Sequence, residues 1–250
     1  IFMGVLMVKM ISCIKTYKKD GRKEIQKLYK SFFKLGKEWI VEELYIQKLK
    51  IRNKNYNFPI LAFRTKQKGK SLWVISGIHG EEPAGPNALA ENIDFINKFG
   101  KKIPIIFMPL CNPLGYVRNW RYPDRKKQQK QGVARSVGSS EHLLLNLKNP
   151  IKPRAKRALC REAEAITSYV LGIFKKYNPV LVIDLHEDES SKKLYIYSEG
   201  KLGTNDPLAK EIVSILKKRG FNFYENGKTK FGEEIVNGIV SNIHDSSIDE

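Results

Sequence analysis

Two rhythms of apolar residues run through the chain, one at helical spacing and one in short unbroken runs. Over 22–36, Ile25, Leu28, Phe32 and Phe33 recur on or near one face, which predicts an amphipathic helix. Two strand-like runs follow, 39–51 and 58–65. The polar stretch Asn53-Lys54-Asn55-Tyr56-Asn57 separates them and predicts a hairpin. The run Leu72 to Ile78 is almost continuously apolar, as expected of a strand covered on both faces. A helix from about Pro86 to Phe99, closed by Gly100, and a second buried strand from Ile103 to Leu110 follow. The order strand, helix, strand favours a right-handed crossover and a largely parallel sheet.

Residues 111–158 hold turn residues and little periodicity, and a loop of that length in a compact domain is usually functional or disordered. Beyond it, the pattern predicts a helix from Leu159 to Tyr177 and a strand from Val180 to Leu185. A further strand is expected from Leu194 to Tyr197. Asp206-Pro207 then opens a helix that Gly220 closes. The fold class expected is α/β: a mostly parallel or mixed central sheet with helices on both faces.

The chemistry lies at strand ends. His79 follows the first buried strand and His186 follows a later one, and open α/β sheets bind ligands at the carboxyl ends of their strands. In His79-Gly80-Glu81-Glu82, a carboxylate three residues after the histidine can turn back toward it, with Gly80 freeing the turn. Two imidazoles and one carboxylate form a catalytic zinc set that leaves a position open for water. The predicted metal ligands are therefore His79, Glu82 and His186, with Glu81 as the rival carboxylate. Asp184 shares a strand face with His186 and Asp188, and can orient the histidine through its other ring nitrogen. His142 and His244 lack such placement and are read as ordinary polar loop histidines.

Composition narrows the alternatives. The apolar fraction of 42% excludes wholesale disorder. The apolar opening from Ile1 to Ile14 is too short to span a membrane and is broken by Lys9. It also lacks the basic residues that precede a signal-peptide core, so the chain is read as cytoplasmic. The three cysteines are scattered and form neither a disulfide framework nor a metal pair. The net charge of +19 comes chiefly from Lys, which far outnumbers Arg and is spread along the chain, and no recognition element for nucleic acid is read from it. That argues against specific nucleic-acid reading and for a solvated surface able to attract a carboxylate.

Residues 76–85, Ser-Gly-Ile-His-Gly-Glu-Glu-Pro-Ala-Gly, resemble the first metal motif of M14-type zinc carboxypeptidases and of the related succinylglutamate desuccinylases and aspartoacylases. Asn112-Pro113-Leu114-Gly115 resembles that superfamily's Asn-Pro-x-Gly turn, and Asp184-Leu185-His186 its third-ligand motif. The resemblance covers about residues 70–200 and implies a zinc carboxypeptidase-like fold. It implies that Arg121, beside Trp120, polarises the scissile carbonyl, and that Arg135 holds a substrate carboxylate. The substrate implied is a peptide or N-acyl amino acid with a free carboxylate. Ala134 stands where carboxypeptidases have Asn, and Gly132 where an Asp often supports the first histidine. These departures leave room for an N-acyl amino acid deacylase. A non-catalytic basic binding module is the reading from another class.

The organisation expected is an N-terminal extension over 1–20 that need not belong to the natural protein, and a single metallohydrolase domain over 21–250. The resembling family places its general-base Glu beyond the last histidine ligand by a distance that reaches the end of the chain. Glu233 and Glu234 come too early and are read as a solvated turn, while Glu187 and Glu250 are the remaining candidates. The domain is therefore expected to be truncated at its C-terminus.

Overall fold

The computed structural model describes residues 14–123, 145–146, 149–153, 160–188, 191–199, 201–229 and 232–241. The chain divides into two compact units, Ile1–Glu187 and Asp188–Glu250.

The first unit is built on a mixed five-stranded sheet. β1 (Trp39–Ile51) and β2 (Lys54–Thr65) form the expected antiparallel hairpin, with Arg52 at the turn in the left-handed region (φ 51°). β2 pairs antiparallel with β4 (Ile105–Met108), which runs parallel to β3 (Ser71–Ser76). A short hairpin of β5 (Leu145–Asn146) and β6 (Asn149–Pro153) stands apart from this sheet. β7 (Pro179–Leu185) pairs parallel with β3 and is the last strand in the order β1-β2-β4-β3-β7.

Side chains alternate across this sheet and feed two cores. Leu61, Phe63, Val74, Ile105 and Phe107 pack against α1 (Ile25–Phe32), α2 (Ala84–Glu91), α3 (Ile93–Gly100) and α4 (Pro113–Arg118). On the other face, Ile60, Ala62, Trp73, Ile75, Ile106 and Met108 pack against Ile166 and Val170 of α5 (Arg161–Ile173). Helices on both faces of a mixed α/β sheet agree with the expected fold class.

Three differences have local causes. The first helix is shorter than 22–36 because Glu24 is extended (ψ 134°) and helical geometry begins only at Ile25. The single helix expected over 86–99 is two helices, α2 and α3. Asn92 breaks them at φ −103° and ψ 21°, and its side-chain amide donates to the Ala88 carbonyl at 2.9 Å. The segment read as loop from 111 opens with α4. There Asn112 caps the helix by accepting from the Gly115 N–H at 3.0 Å, and Pro113 fills the first turn.

In the second unit, β8 (Ile196–Ser198), β9 (Asn226–Lys228), β10 (Glu234–Val236) and β11 (Ile239–Ser241) form a sheet in the order β8-β11-β10-β9. α6 (Pro207–Lys218) packs Ala209 and Val213 with Phe223 and Ile239. Its start follows the Asp-Pro reading: the Asp206 carboxylate accepts from the Leu208 N–H at 2.8 Å. Glu233 and Glu234 do not form a solvated turn. Glu234 begins β10, and Glu233 accepts from the hydroxyls of Tyr197 at 2.5 Å and Thr229 at 2.7 Å.

Candidate metal centre

Adjacent parallel strands set the site. β3 and β7 are paired with Ser76 opposite Leu185, so the residues that follow each strand emerge side by side. Gly77 turns the chain after β3 with a φ of 63°. The amides of Cys111 and Asn112 then bond the carbonyls of Ser76 at 3.0 Å and Gly77 at 2.8 Å, which fixes the turn to the segment after β4. His79 follows, and the Glu82 N–H returns to its carbonyl at 3.3 Å. This one tight turn brings Glu82 Oε1 to 2.8 Å from His79 Nδ1.

His186 arrives from β7. Its Nδ1 lies 2.8 Å from Glu82 Oε2, and its ring centroid is 4.9 Å from that of His79. One ligand atom from each of His79, Glu82 and His186 lies within 4.8 Å of the other two. Asp184 Oδ2 meets the other nitrogen of His186, Nε2, at 3.0 Å, so the imidazole is held from behind with Nδ1 toward the trio. Burial would raise the pKa of Glu82, but the hydrogen bonds from His186 and His79 outweigh it and hold the carboxyl well below its usual range. Burial would lower His186, but its bonds to Asp184 and Glu82 prevail and push it up to about 10. Two imidazoles that converge on one buried carboxylate fit a divalent cation of borderline softness.

Glu81, the rival carboxylate, points elsewhere: its Oε1 accepts from Arg121 Nη1 at 2.9 Å. The same Nη1 donates to Glu82 Oε1 at 3.0 Å, which places Arg121 at the edge of the trio. Asp188, expected to share a face with His186, instead accepts from the Tyr195 hydroxyl at 2.8 Å. Glu187 donates its backbone N–H to Glu82 Oε2 at 3.1 Å, and its own Oε2 accepts from the Ala84 N–H at 2.9 Å. Arg135, His142, His244 and Glu250, with Gly132 and Ala134, lie outside the described residues.

Gly80 has a different job from the one expected. Its φ is not in the left-handed region, which Gly77 occupies in this stretch. A Cβ at Gly80 would collide with the backbone of Gly115 and Tyr116, so the residue is glycine because two chain segments touch there.

Three residues support the site, of which the sequence reading named only Asn112, as part of a turn motif and without this role. Asn112, besides capping α4, donates Nδ2 to the Arg121 carbonyl at 3.3 Å, and the Gly80 N–H donates to that same carbonyl at 3.3 Å. Gln47, buried on β1, donates to Asn112 Oδ1 at 3.0 Å and accepts from the Leu114 N–H at 2.7 Å. Arg22 is fully buried beneath the His79–Glu82 turn. The Asn-Pro pair was a legible capping signal for Asn112; nothing local distinguishes Gln47 or Arg22.

An α/β sheet with a two-imidazole, one-carboxylate trio at adjacent strand ends defines a candidate metal-binding protein. No protein-family model matches the chain, and no curated protein matches it. Solved structures do. One from Shewanella baltica OS155, described as a candidate metallopeptidase, superposes with a TM-score of 0.60 at 17% identity over 86% of this chain and 72% of that one. Candidate metallopeptidases from Shewanella amazonensis SB2B and Shewanella denitrificans OS217 both superpose at 0.62 and 16% identity. They cover 86% and 92% of this chain and 73% and 80% of their own. The chain shares the fold of these structures, in keeping with the resemblance seen in its motifs.

Proposed function

We propose that this chain is a zinc-dependent hydrolase that cleaves an amide bond next to a free carboxylate, in the manner of a carboxypeptidase. The observation that carries this reading is the convergence of His79, Glu82 and His186 from the ends of two adjacent strands. Those three residues would hold the ion, and Asp184 would keep the His186 ring in register. A zinc ion bound there would supply Lewis-acid activation of water and of the scissile carbonyl.

The chain's own groups supply the rest. Arg121 lies against Glu82, where its guanidinium can donate to negative charge that develops on the carbonyl oxygen. Arg135 would pair with the substrate's terminal carboxylate through a planar fork and so position the bond to be broken. The surplus of Lys over acidic residues raises the local concentration of an anionic substrate. The sequence departure at Ala134 favours a second reading, an N-acyl amino acid deacylase with the same centre.

The test is metal content followed by substrate profiling. Purified protein should bind about one zinc per chain, and His79→Ala or His186→Ala should abolish it. Full occupancy in either variant would remove the assignment. Short peptides with free C-termini should be cleaved and their amidated counterparts spared; cleavage confined to acylated amino acids would select the second reading.

A further inference from the structure

Arg22 is buried without the exposed edge that arginine usually keeps, its side chain at 0% exposure. Its surroundings explain how. Nε donates to both oxygens of Asp20, at 2.8 and 3.1 Å, and Nη2 also pairs with that carboxylate. Nη1 donates to the Gly80 carbonyl at 3.1 Å and to the Tyr116 carbonyl; Nη2 reaches Asn119 Oδ1 at 2.7 Å and lies 3.5 Å from the Glu81 carbonyl. The guanidinium stacks between the Tyr17 and Tyr116 rings, 5.2 and 5.0 Å from their centroids.

Two of those acceptors, the carbonyls of Gly80 and Glu81, lie between His79 and Glu82. Two more, the Tyr116 carbonyl and Asn119, belong to α4 and its left-handed cap at φ 58°, and the fifth, Asp20, lies two residues before Arg22. One planar cation therefore ties the turn that carries two of the three candidate ligands to the end of α4. The segment before α1 is tied down as well: the Tyr17 N–H donates to the Val117 carbonyl at 3.0 Å, and Thr16 is buried. Lys could not replace this arrangement, because a single ammonium cannot meet a carboxylate, an amide oxygen and carbonyls on two segments in one plane.

We propose that Arg22 is a positioning residue that holds the His79–Glu82 turn in its ligand-ready form. The inference rests on the metal-centre reading for its consequence and on the hydrogen bonds alone for the locking itself. Removal of the fork leaves the buried Gly80 carbonyl without its cation, and the turn relaxes. Residues that orient metal ligands from behind typically contribute about 10- to 100-fold in affinity.

The test compares the full chain with Arg22→Lys, which keeps the charge and the stem, and Arg22→Met, which keeps only the stem. In metal-free protein, amide hydrogen exchange over residues 79–82 should accelerate about tenfold or more in Arg22→Lys, while the β3 and β4 amides stay protected. Co2+, an optically visible substitute for zinc, should bind Arg22→Lys about tenfold more weakly and with an altered ligand-field spectrum. Equal exchange over 79–82 in wild type and Arg22→Lys overturns the proposal. Failure of wild type to bind Co2+ or zinc overturns the metal-centre reading instead, and the exchange comparison still decides the role of Arg22. If Arg22→Met does not fold, Arg22→Lys carries the whole test.

Discussion

Gly80 packs directly against the backbone of Gly115, which leaves no room for a side chain at position 80. A Cβ on Gly80 would enter the Gly115 and Tyr116 main chain; a Cβ on Gly115 would enter the Asn112 side chain that caps α4. The first metal motif and the Asn-Pro-x-Gly motif are thus two halves of one contact. We expect Gly80→Ala to destabilise the protein by about 2–3 kcal/mol or more, at the upper end of overpacking costs because the obstruction is backbone. Zinc affinity should fall with it, since the turn cannot move without Glu82. Urea unfolding and zinc titration check both; a variant with wild-type values in each would mean the segments are free to separate.

Arg121 and Arg135 are expected to fail differently. Arg121→Ala should lower kcat by about 100-fold or more with a smaller effect on KM, as for loss of an oxyanion donor. Arg135→Ala should chiefly raise KM, since a carboxylate clamp acts on ground and transition states alike. Steady-state kinetics on one peptide separates the two. The roles would have to be exchanged if Arg121→Ala changed only KM.

Glu187 stands beside His186, in the place of a general base, yet its Oε2 is engaged by the Ala84 N–H at the start of α2. Pro83, the residue that precedes this helix, provides no side-chain cap. We expect Glu187 to anchor α2 to the end of β7, so that Glu187→Gln retains the bond and keeps kcat within about threefold of wild type. Loss of a true base would cost about 100- to 10,000-fold. A fall of that size in Glu187→Gln would reassign the residue to proton transfer.

The described cysteines should differ in reactivity. Burial, with the negative charge of Asp184 adding to it, pushes the Cys111 thiol well above its usual range, whereas Cys160 is half-buried just before α5. The thiolate is the reactive form, so a raised pKa and a closed environment both protect Cys111. Alkylation at neutral pH followed by peptide mass spectrometry should label Cys160 in native protein and Cys111 only after denaturation.

What could be read beforehand tracked how local the determining forces are. Strand β3 was legible because an unbroken apolar run marks a strand buried on both faces; β7 carries a similar run but is an edge strand with Val180 and Val182 exposed, so its expected burial does not hold although its position and its end at His186 do. The break at Asn92 was missed because apolar spacing continues across it, while the cause is a side chain that competes for one carbonyl. The strands at 226–241 are three residues each, too short to show an alternation. Arg22 and Gln47 were invisible for a different reason. Beyond Asp20, their partners in the site, Gly80 and Asn112, lie 58 and 65 residues away, and neither residue's neighbours in sequence mark what it will meet.

The spacing of the trio bears on how the molecule folds. His79 and Glu82 are joined by a turn and can meet early, but Glu82 and His186 are 104 residues apart and meet only when β7 has docked beside β3. Contacts at such separation form late, after the chain entropy of closing the intervening segment has been overcome. An unfolded or half-folded chain therefore offers a cation two donors at most. Zinc added during refolding should leave the early steps untouched and act as a latch on the finished parallel pair, slowing escape from the native state rather than speeding arrival.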